Sequence, residues 1–274
     1  MKFATYTHQN RTRTGVIVDD RIYSTSSPDS MNYMIRRGIT PSRTYEYLPL
    51  ADVKLEAPIR PSKLICIGRN YAEHAKETGS AVPTAPIIFA KFPSSIIGNG
   101  ETITWNESIT KEVDWEGELA VVIGKKARHV KEEDALNYVF GYTIANDVSA
   151  RDLQLREDSQ WTRGKSLDTF CPLGPWVVSR DEIADPHNLS VKTTVSGEVR
   201  QDGNTKDFIF NIPVLISYCS RMFTLEPGDL ILTGTPPGVG EGMKPPTYLK
   251  DSDTVTITIE GIGELTNPCK IMTD

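Results

Sequence analysis

Cysteine, histidine and long apolar runs are all scarce in this chain of 274 residues. The cysteines, Cys66, Cys171, Cys219 and Cys269, are scattered with no Cys-x-x-Cys spacing. That pattern argues against a zinc knuckle and fits reduced thiols. No stretch approaches the ~20 apolar residues of a membrane span, and Met1 to His8 carries no apolar leader segment. The expectation is a cytoplasmic protein, neither secreted nor membrane-inserted. An excess of positive charge is missing as well: the formal net charge is −6, which argues against a nucleic-acid partner. The basic cluster Lys125-Lys126-Ala127-Arg128 is short and is followed by Glu132-Glu133-Asp134, so it reads as a solvated turn and helix start.

What the chain does have is a pair of carboxylates at the head of an apolar run, Asp114-Trp115-Glu116-Gly117-Glu118-Leu119-Ala120-Val121-Val122-Ile123-Gly124. Side chains alternate faces along a strand, so Glu116 and Glu118 point the same way. Their repulsion needs a shared cation, a proton or full hydration to offset it. A second apolar run, Tyr138 to Ala145, ends in Asn146-Asp147 and places a third carboxylate where a strand opens into a loop. Three such donors fit one hard divalent ion, Mg²⁺ or Mn²⁺ with Ca²⁺ as a substitute, whereas zinc more usually recruits His or Cys. On spacing alone, a solvated strand face paired with nearby lysines stays open as the alternative.

The first residues read as a small unit, with strands at Phe3 to Tyr6, Gly15 to Asp19 and Arg21 to Tyr23 and a helix around Met31 to Arg37. The two prolines of Glu56-Ala57-Pro58-Ile59-Arg60-Pro61-Ser62 mark the boundary, dividing the chain into a small N-terminal domain, 1–57, and a larger domain, 58–274. Short strands are expected at Lys63 to Gly68, Ile87 to Ala90 and Val255 to Glu260, and helices at Tyr71 to Thr78, Lys131 to Asn137 and Ile212 to Phe223. Many strands with few helices predict an α+β, mainly β, fold rather than a regular βαβ alternation.

Several side chains can carry chemistry. In a helix after Gly68, His74 and Glu77 sit at i, i+3, so the carboxylate can fix the imidazole tautomer and raise its basicity; an incidental surface contact is the alternative. Lys91 and Lys165 can stabilise a developing oxyanion or snorkel at the surface. Gln154 can donate to a substrate oxygen or be plain polar surface. The loop Thr233-Gly234-Thr235-Pro236-Pro237-Gly238 can cradle a carboxylate through backbone N–H groups and the Thr235 hydroxyl, or simply turn the chain.

The run Gly68-Arg69-Asn70-Tyr71-Ala72-Glu73-His74, with Glu116-Gly117-Glu118, Asn146-Asp147-Val148-Ser149-Ala150-Arg151-Asp152, Gly164-Lys165-Ser166 and Gly234-Thr235-Pro236, closely resembles the fumarylacetoacetate hydrolase family, in its acylpyruvase and oxaloacetate-decarboxylase-like branch. The resemblance covers roughly 60–268. It implies the β-roll or sandwich fold of that family, with Mg²⁺ or Mn²⁺ held by Glu116, Glu118 and Asp147. It also implies His74 and Glu77 as a catalytic dyad on a short lid helix, with Lys165 as the third catalytic residue. Arg69, Tyr71, Lys91, Gln154, Gly234 and Thr235 carry over as substrate contacts, and a homodimer is expected. The loop between Gln154 and Lys165 is a few residues shorter than in some relatives, which bears on substrate length. The implied reaction is metal-dependent C–C bond cleavage of a small 2-oxo or 2,4-dioxo acid through a metal-bound enolate, as an acylpyruvate hydrolase or oxaloacetate decarboxylase. Isomerisation of an aromatic ring-cleavage product passes through the same kind of intermediate and is the first alternative. A binding or assembly role without turnover is the second.

Overall fold

Runs rich in Val, Ile, Thr and aromatic residues form strands, because their stiff, bulky side chains fit a pleated surface. In the computed structural model, which describes residues 1–27, 29–157 and 160–273, the chain opens with β1 (Lys2–His8), β2 (Arg11–Val18), β3 (Arg21–Thr25), helix α1 (Met31–Arg36), β4 (Arg43–Pro49) and β5 (Lys54–Leu55). It continues through β6 (Leu64–Gly68), α2 (Ala72–Glu77), β7 (Ile87–Lys91), β8 (Ile96–Ile97), β9 (Ile103–Asn106), β10 (Val113–Asp114), β11 (Gly117–Ile123), β12 (Val139–Asn146) and β13 (Ser149–Ala150). It closes with α3 (Trp161–Lys165), β14 (Cys171–Ser179), β15 (Ser190–Val195), β16 (Glu198–Asn204), α4 (Ile212–Met222), β17 (Leu230–Leu232), β18 (Thr254–Ile259) and β19 (Gly263–Met272). The fold is mainly β, as the pattern of short strands predicts.

One large sheet runs β4-β3-β2-β1-β14-β12-β11-β17-β6-β7, with β5 beside β1 and β8 beside β14. A smaller sheet runs β16-β15-β18-β19-β9. The N-terminal strands extend the large sheet, since Phe3 pairs with Val177 across β1 and β14. Strand β11 is buried along its whole length. Its residues Leu119, Val121 and Ile123 enter the larger core between the sheets, while Ala120 and Val122 enter the core on the opposite face. Burial on both faces explains why this strand reads as an unbroken apolar run instead of an alternation.

The smaller sheet presses directly on the head of β11. A Cβ at Gly117 would lie 2.3 Å from Thr193 Oγ1, so the residue between the two glutamates has to be glycine. From β16, the buried Gln201 accepts the Gly117 N–H at 2.9 Å and donates to Thr235 Oγ1 at 2.7 Å, tying the two sheets at this point. Helix α4 starts where Asn211 Oδ1 accepts the Val214 N–H at 3.0 Å, with Pro213 in the first turn, and buries Ile212, Leu215, Ile216 and Cys219. The helix expected over Lys131 to Asn137 is instead a 3₁₀ run, Glu132–Tyr138. No side chain caps its start and only Ala135 is buried, so it lacks the apolar stripe that sustains an α-helix. Among the described residues, no helix is long and apolar enough to cross a membrane.

Candidate active site

Strand register assembles the carboxylates. In the antiparallel pairing of β11 with β12, Gly117 faces Asn146, which brings the end of one strand beside the head of the other. Asn146 Oδ1 accepts the Glu116 N–H at 3.0 Å, and Glu116 O accepts the Asp147 N–H at 2.9 Å. Strand β17 lies between β11 and β6, so the loop after Leu232 and the segment after Gly68 open onto the same spot. Glu116, Glu118 and Asp147 are 5%, 2% and 0% exposed, which rules out a solvated strand face. One oxygen from each lies within 4.8 Å of the others.

Buried cations surround them. Lys165 Nζ donates to Glu116 Oε2 at 2.7 Å and to Asp147 Oδ2 at 3.0 Å. Lys91 Nζ donates to Val148 O and stands 2.8 Å from Asp147 Oδ1, an oxygen that lacks a hydrogen bond of good alignment. Neither lysine snorkels, since both are 2% exposed. Arg151, also buried, reaches Glu116 Oε1 at 2.8 Å and Asp114 Oδ2 at 2.7 Å, and donates to Gln154 Oε1 at 2.9 Å. Asp114 in turn accepts the Trp115, Gly240 and Glu241 N–H groups.

These neighbours pull the two glutamates apart in acidity. Burial pushes the Glu116 carboxyl up, but Lys165, Arg151 and His74 outweigh it and bring it down to about 2. Glu118 is pushed well above the ordinary carboxyl range by burial and by Asp147 and Glu116, with only partial relief from Lys165 and the Gly234 N–H. Burial lowers the Lys165 pKa, yet Asp147 and Glu116 raise it further, so the ammonium stays charged. The all-carboxylate donor set of Glu116, Glu118 and Asp147 fits a hard ion such as Mg²⁺ or Mn²⁺.

Helix α2 carries the dyad. His74 Nδ1 is 2.8 Å from Glu77 Oε1, and Glu77 Oε2 accepts the Gly238 N–H at 2.8 Å. The carboxylate therefore favours the tautomer with hydrogen on Nδ1, leaving Nε2 as the basic nitrogen. The preceding turn is anchored by buried Asn70, whose Nδ2 donates to Phe210 O and Thr233 O. A cavity of about 130 Å³ is lined by Arg69, His74, Glu116, Glu118, Gln154, Lys165 and Thr235, among others. Tyr71, Glu77, Lys91, Asp147 and Gly234 stand outside that lining. Tyr71 is buried edge-on against Phe208. The Gly234 N–H is committed to Glu118 Oε2 at 2.8 Å, and the Thr235 hydroxyl donates to Gly117 O; the loop thus braces the acid cluster more than it forms an open cradle. Sequence reasoning assigned no role to Asp114, Arg151, Trp161 or Gln201. The first two lie inside motifs quoted for other residues, and Arg151 at three residues before Gln154 was the available signal.

Residues 63–270 match the family model described as fumarylacetoacetate (FAA) hydrolase C-terminal. The chain belongs to the fumarylacetoacetate hydrolase family. Residues 1–58 match the model described as Rv2993c-like, N-terminal. The oxaloacetate tautomerase Fahd2a of mitochondria from Rattus norvegicus is 47% identical over 92% of this chain and 83% of its own. The oxaloacetate tautomerase YisK of Bacillus subtilis is 51% identical over 80% of this chain and 73% of its own. Among solved structures, the fumarylacetoacetate hydrolase of Exiguobacterium antarcticum is 43% identical with a TM-score of 0.91, covering 99% of this chain and 100% of its own. The 2-hydroxyhepta-2,4-diene-1,7-dioate isomerase of Mycobacterium marinum is 38% identical with a TM-score of 0.85, covering 100% of both chains. This chain is accordingly an enzyme of the family.

Proposed function

We propose that the enzyme interconverts the keto and enol forms of oxaloacetate, or of a closely similar short 2-oxo acid. The observation that carries this reading is the buried Lys165 ammonium held between Glu116 and Asp147 on the same cavity as the free nitrogen of His74. The 2-oxo end of the substrate lies toward Lys165 and the acid cluster. His74 Nε2 takes a proton from C3, the electron pair moves onto O2, and the Lys165 ammonium stabilises the charge there before O2 takes up the proton. Glu77 stabilises the transient imidazolium through Nδ1–H. A divalent ion held by Glu116, Glu118 and Asp147 would supply Lewis-acid polarisation of the 2-oxo group. Two relatives named for oxaloacetate tautomerisation, each over most of its length, support this choice over bond cleavage.

Cleavage of a C–C bond in acylpyruvates or oxaloacetate is the second reading, favoured by one observation: a Glu-oriented imidazole can equally deprotonate water. One experiment separates the two. Oxaloacetate in deuterated buffer is followed by NMR with Mg²⁺ or Mn²⁺ and with EDTA, and pyruvate is quantified in the same samples. The tautomerase reading expects metal-dependent C3 deuterium exchange that far outruns pyruvate formation. Pyruvate release matching the exchange would favour cleavage, and no exchange above the spontaneous rate would reject both for this substrate. A cytoplasmic homodimer is proposed on the family resemblance, and light scattering at twice the chain mass is its test.

A further inference from the structure

The cations of the site are paired with carboxylates, with one exception on the cavity wall. Arg69 lines the cavity, and among the described residues no carboxylate or carbonyl hydrogen-bonds or ion-pairs with its guanidinium. Its backbone is in the left-handed region at φ +48, a conformation that costs a non-glycine residue free energy and that aims the side chain. What the guanidinium does meet is Trp161, lying over the indole ring at 5.1 Å. Trp161 begins α3 and is fixed from two further sides. Its ring packs edge-on against Phe89 at 5.3 Å between centroids, and it sits on the bare backbone of Gly68, where a Cβ would come within 2.3 Å of Trp161 Cζ3. Phe89, in turn, lies under the Lys165 ammonium at 5.3 Å.

We propose that Trp161 is a positioning residue for substrate selectivity: it holds the Arg69 guanidinium ready for the second carboxylate of a short 2-oxo diacid. The ring holds the cation by its π-face attraction without using the guanidinium N–H donors, which remain for a carboxylate, the group that arginine binds bidentately. Gly68 is then the seat that the indole requires. The inference rests on the reading of the substrate as a short 2-oxo diacid, and it assigns Trp161, on the same cavity wall, a role exerted through Arg69.

The test is equilibrium binding to the Mn²⁺-loaded protein of two ligands, 3,3-difluorooxaloacetate and 3,3-difluoropyruvate, which differ by the distal carboxylate. The diacid has no hydrogen on C3, so its binding does not depend on tautomerisation. Wild type should prefer the diacid. Trp161→Ala should lose about tenfold of that preference while binding the mono-acid within about twofold of wild type. Trp161→Phe should keep most of the preference. Trp161→Ala combined with Arg69→Ala should be no worse than Arg69→Ala alone, because the two act as one unit. Equal loss for both ligands, an unchanged preference in Trp161→Ala, or no preference in wild type would overturn the proposal. A preference that depends on Trp161 in a protein that does not tautomerise oxaloacetate would uphold this inference and sink the proposed reaction instead.

Discussion

Replacing Lys165 by methionine removes one charge and little else, since the two side chains are similar in length and methionine adapts to irregular packing. The lysine is 2% exposed and donates at 2.7 Å and 3.0 Å to two buried carboxylates. Breaking a buried ion pair from one side costs about 3–5 kcal/mol, because the remaining charges lose their compensation. For a chain of this size each kcal/mol moves Tm by about 2–4 °C, so Lys165→Met should melt roughly 6–20 °C below wild type in EDTA. A divalent ion among the same carboxylates restores positive charge. With Mg²⁺ or Mn²⁺ present the deficit should therefore shrink to about half or less, even though the turnover stays about 10²–10³-fold down for want of the ammonium. Scanning calorimetry of both proteins, with EDTA and with metal, reads all of this. An equal deficit in the two conditions would show that no ion sits among Glu116, Glu118 and Asp147. No deficit in EDTA would refute the claim that Lys165 offsets their charge.

Glu77→Gln should lower kcat by roughly 10²-fold or more, because it removes the carboxylate that sets the basicity and tautomer of His74 together with one of the two acceptors that bridge His74 and the Gly238 N–H; steady-state kinetics checks it. Gly117→Ala places a methyl group 2.3 Å from Thr193 Oγ1 and should cost about 1–3 kcal/mol by overpacking, with weaker Mn²⁺ binding in calorimetry because both glutamates shift. The two glutamates should also leave opposite marks on stability against pH in EDTA, read as urea midpoints. Glu116, held at about 2, contributes stability that is present above the ordinary carboxyl range and lost as pH falls through about 2. Glu118, raised well above that range, contributes stability that is present at low pH and lost as pH rises through its folded value. Glu118→Gln should remove the second loss and leave the first.

Much of the candidate site's geometry is legible in the sequence because it is local. The parity of Glu116 and Glu118, the i, i+3 spacing of His74 and Glu77, and the apolar runs of β11, β12 and β17 each follow from one short stretch and one backbone period. Other features are tertiary and leave no such trace. That Gly117 is glycine because Thr193 of another sheet lies above it, and that Gln201 joins Gly117 to Thr235, depends on a contact between strands some eighty residues apart. Arg151 sits beside a quoted aspartate, but of its three side-chain partners only Gln154 is local, and Asp114 and Glu116 reach it across the pairing of β10 with β13. The polar start of Glu132–Tyr138 resembles a helix N-terminus and predicts an α-helix, yet the segment is 3₁₀. What it lacks, an apolar stripe, is visible in the sequence. The composition of the Gly234-Thr235 loop fits a ligand cradle or a plain turn, and it does not show that the Gly234 N–H serves the neighbouring Glu118.

Metal-dependent enolisation of oxaloacetate at Glu116, Glu118, Asp147 and Lys165, with His74 as base, is measured by the rate of enol-to-keto conversion, followed by ultraviolet absorbance, for wild type and Glu116→Ala in Mn²⁺ and in EDTA. A rate well above the spontaneous one is expected for wild type with Mn²⁺ alone, and the spontaneous rate in the other three samples. Undiminished catalysis by Glu116→Ala, or by wild type in EDTA, would contradict it.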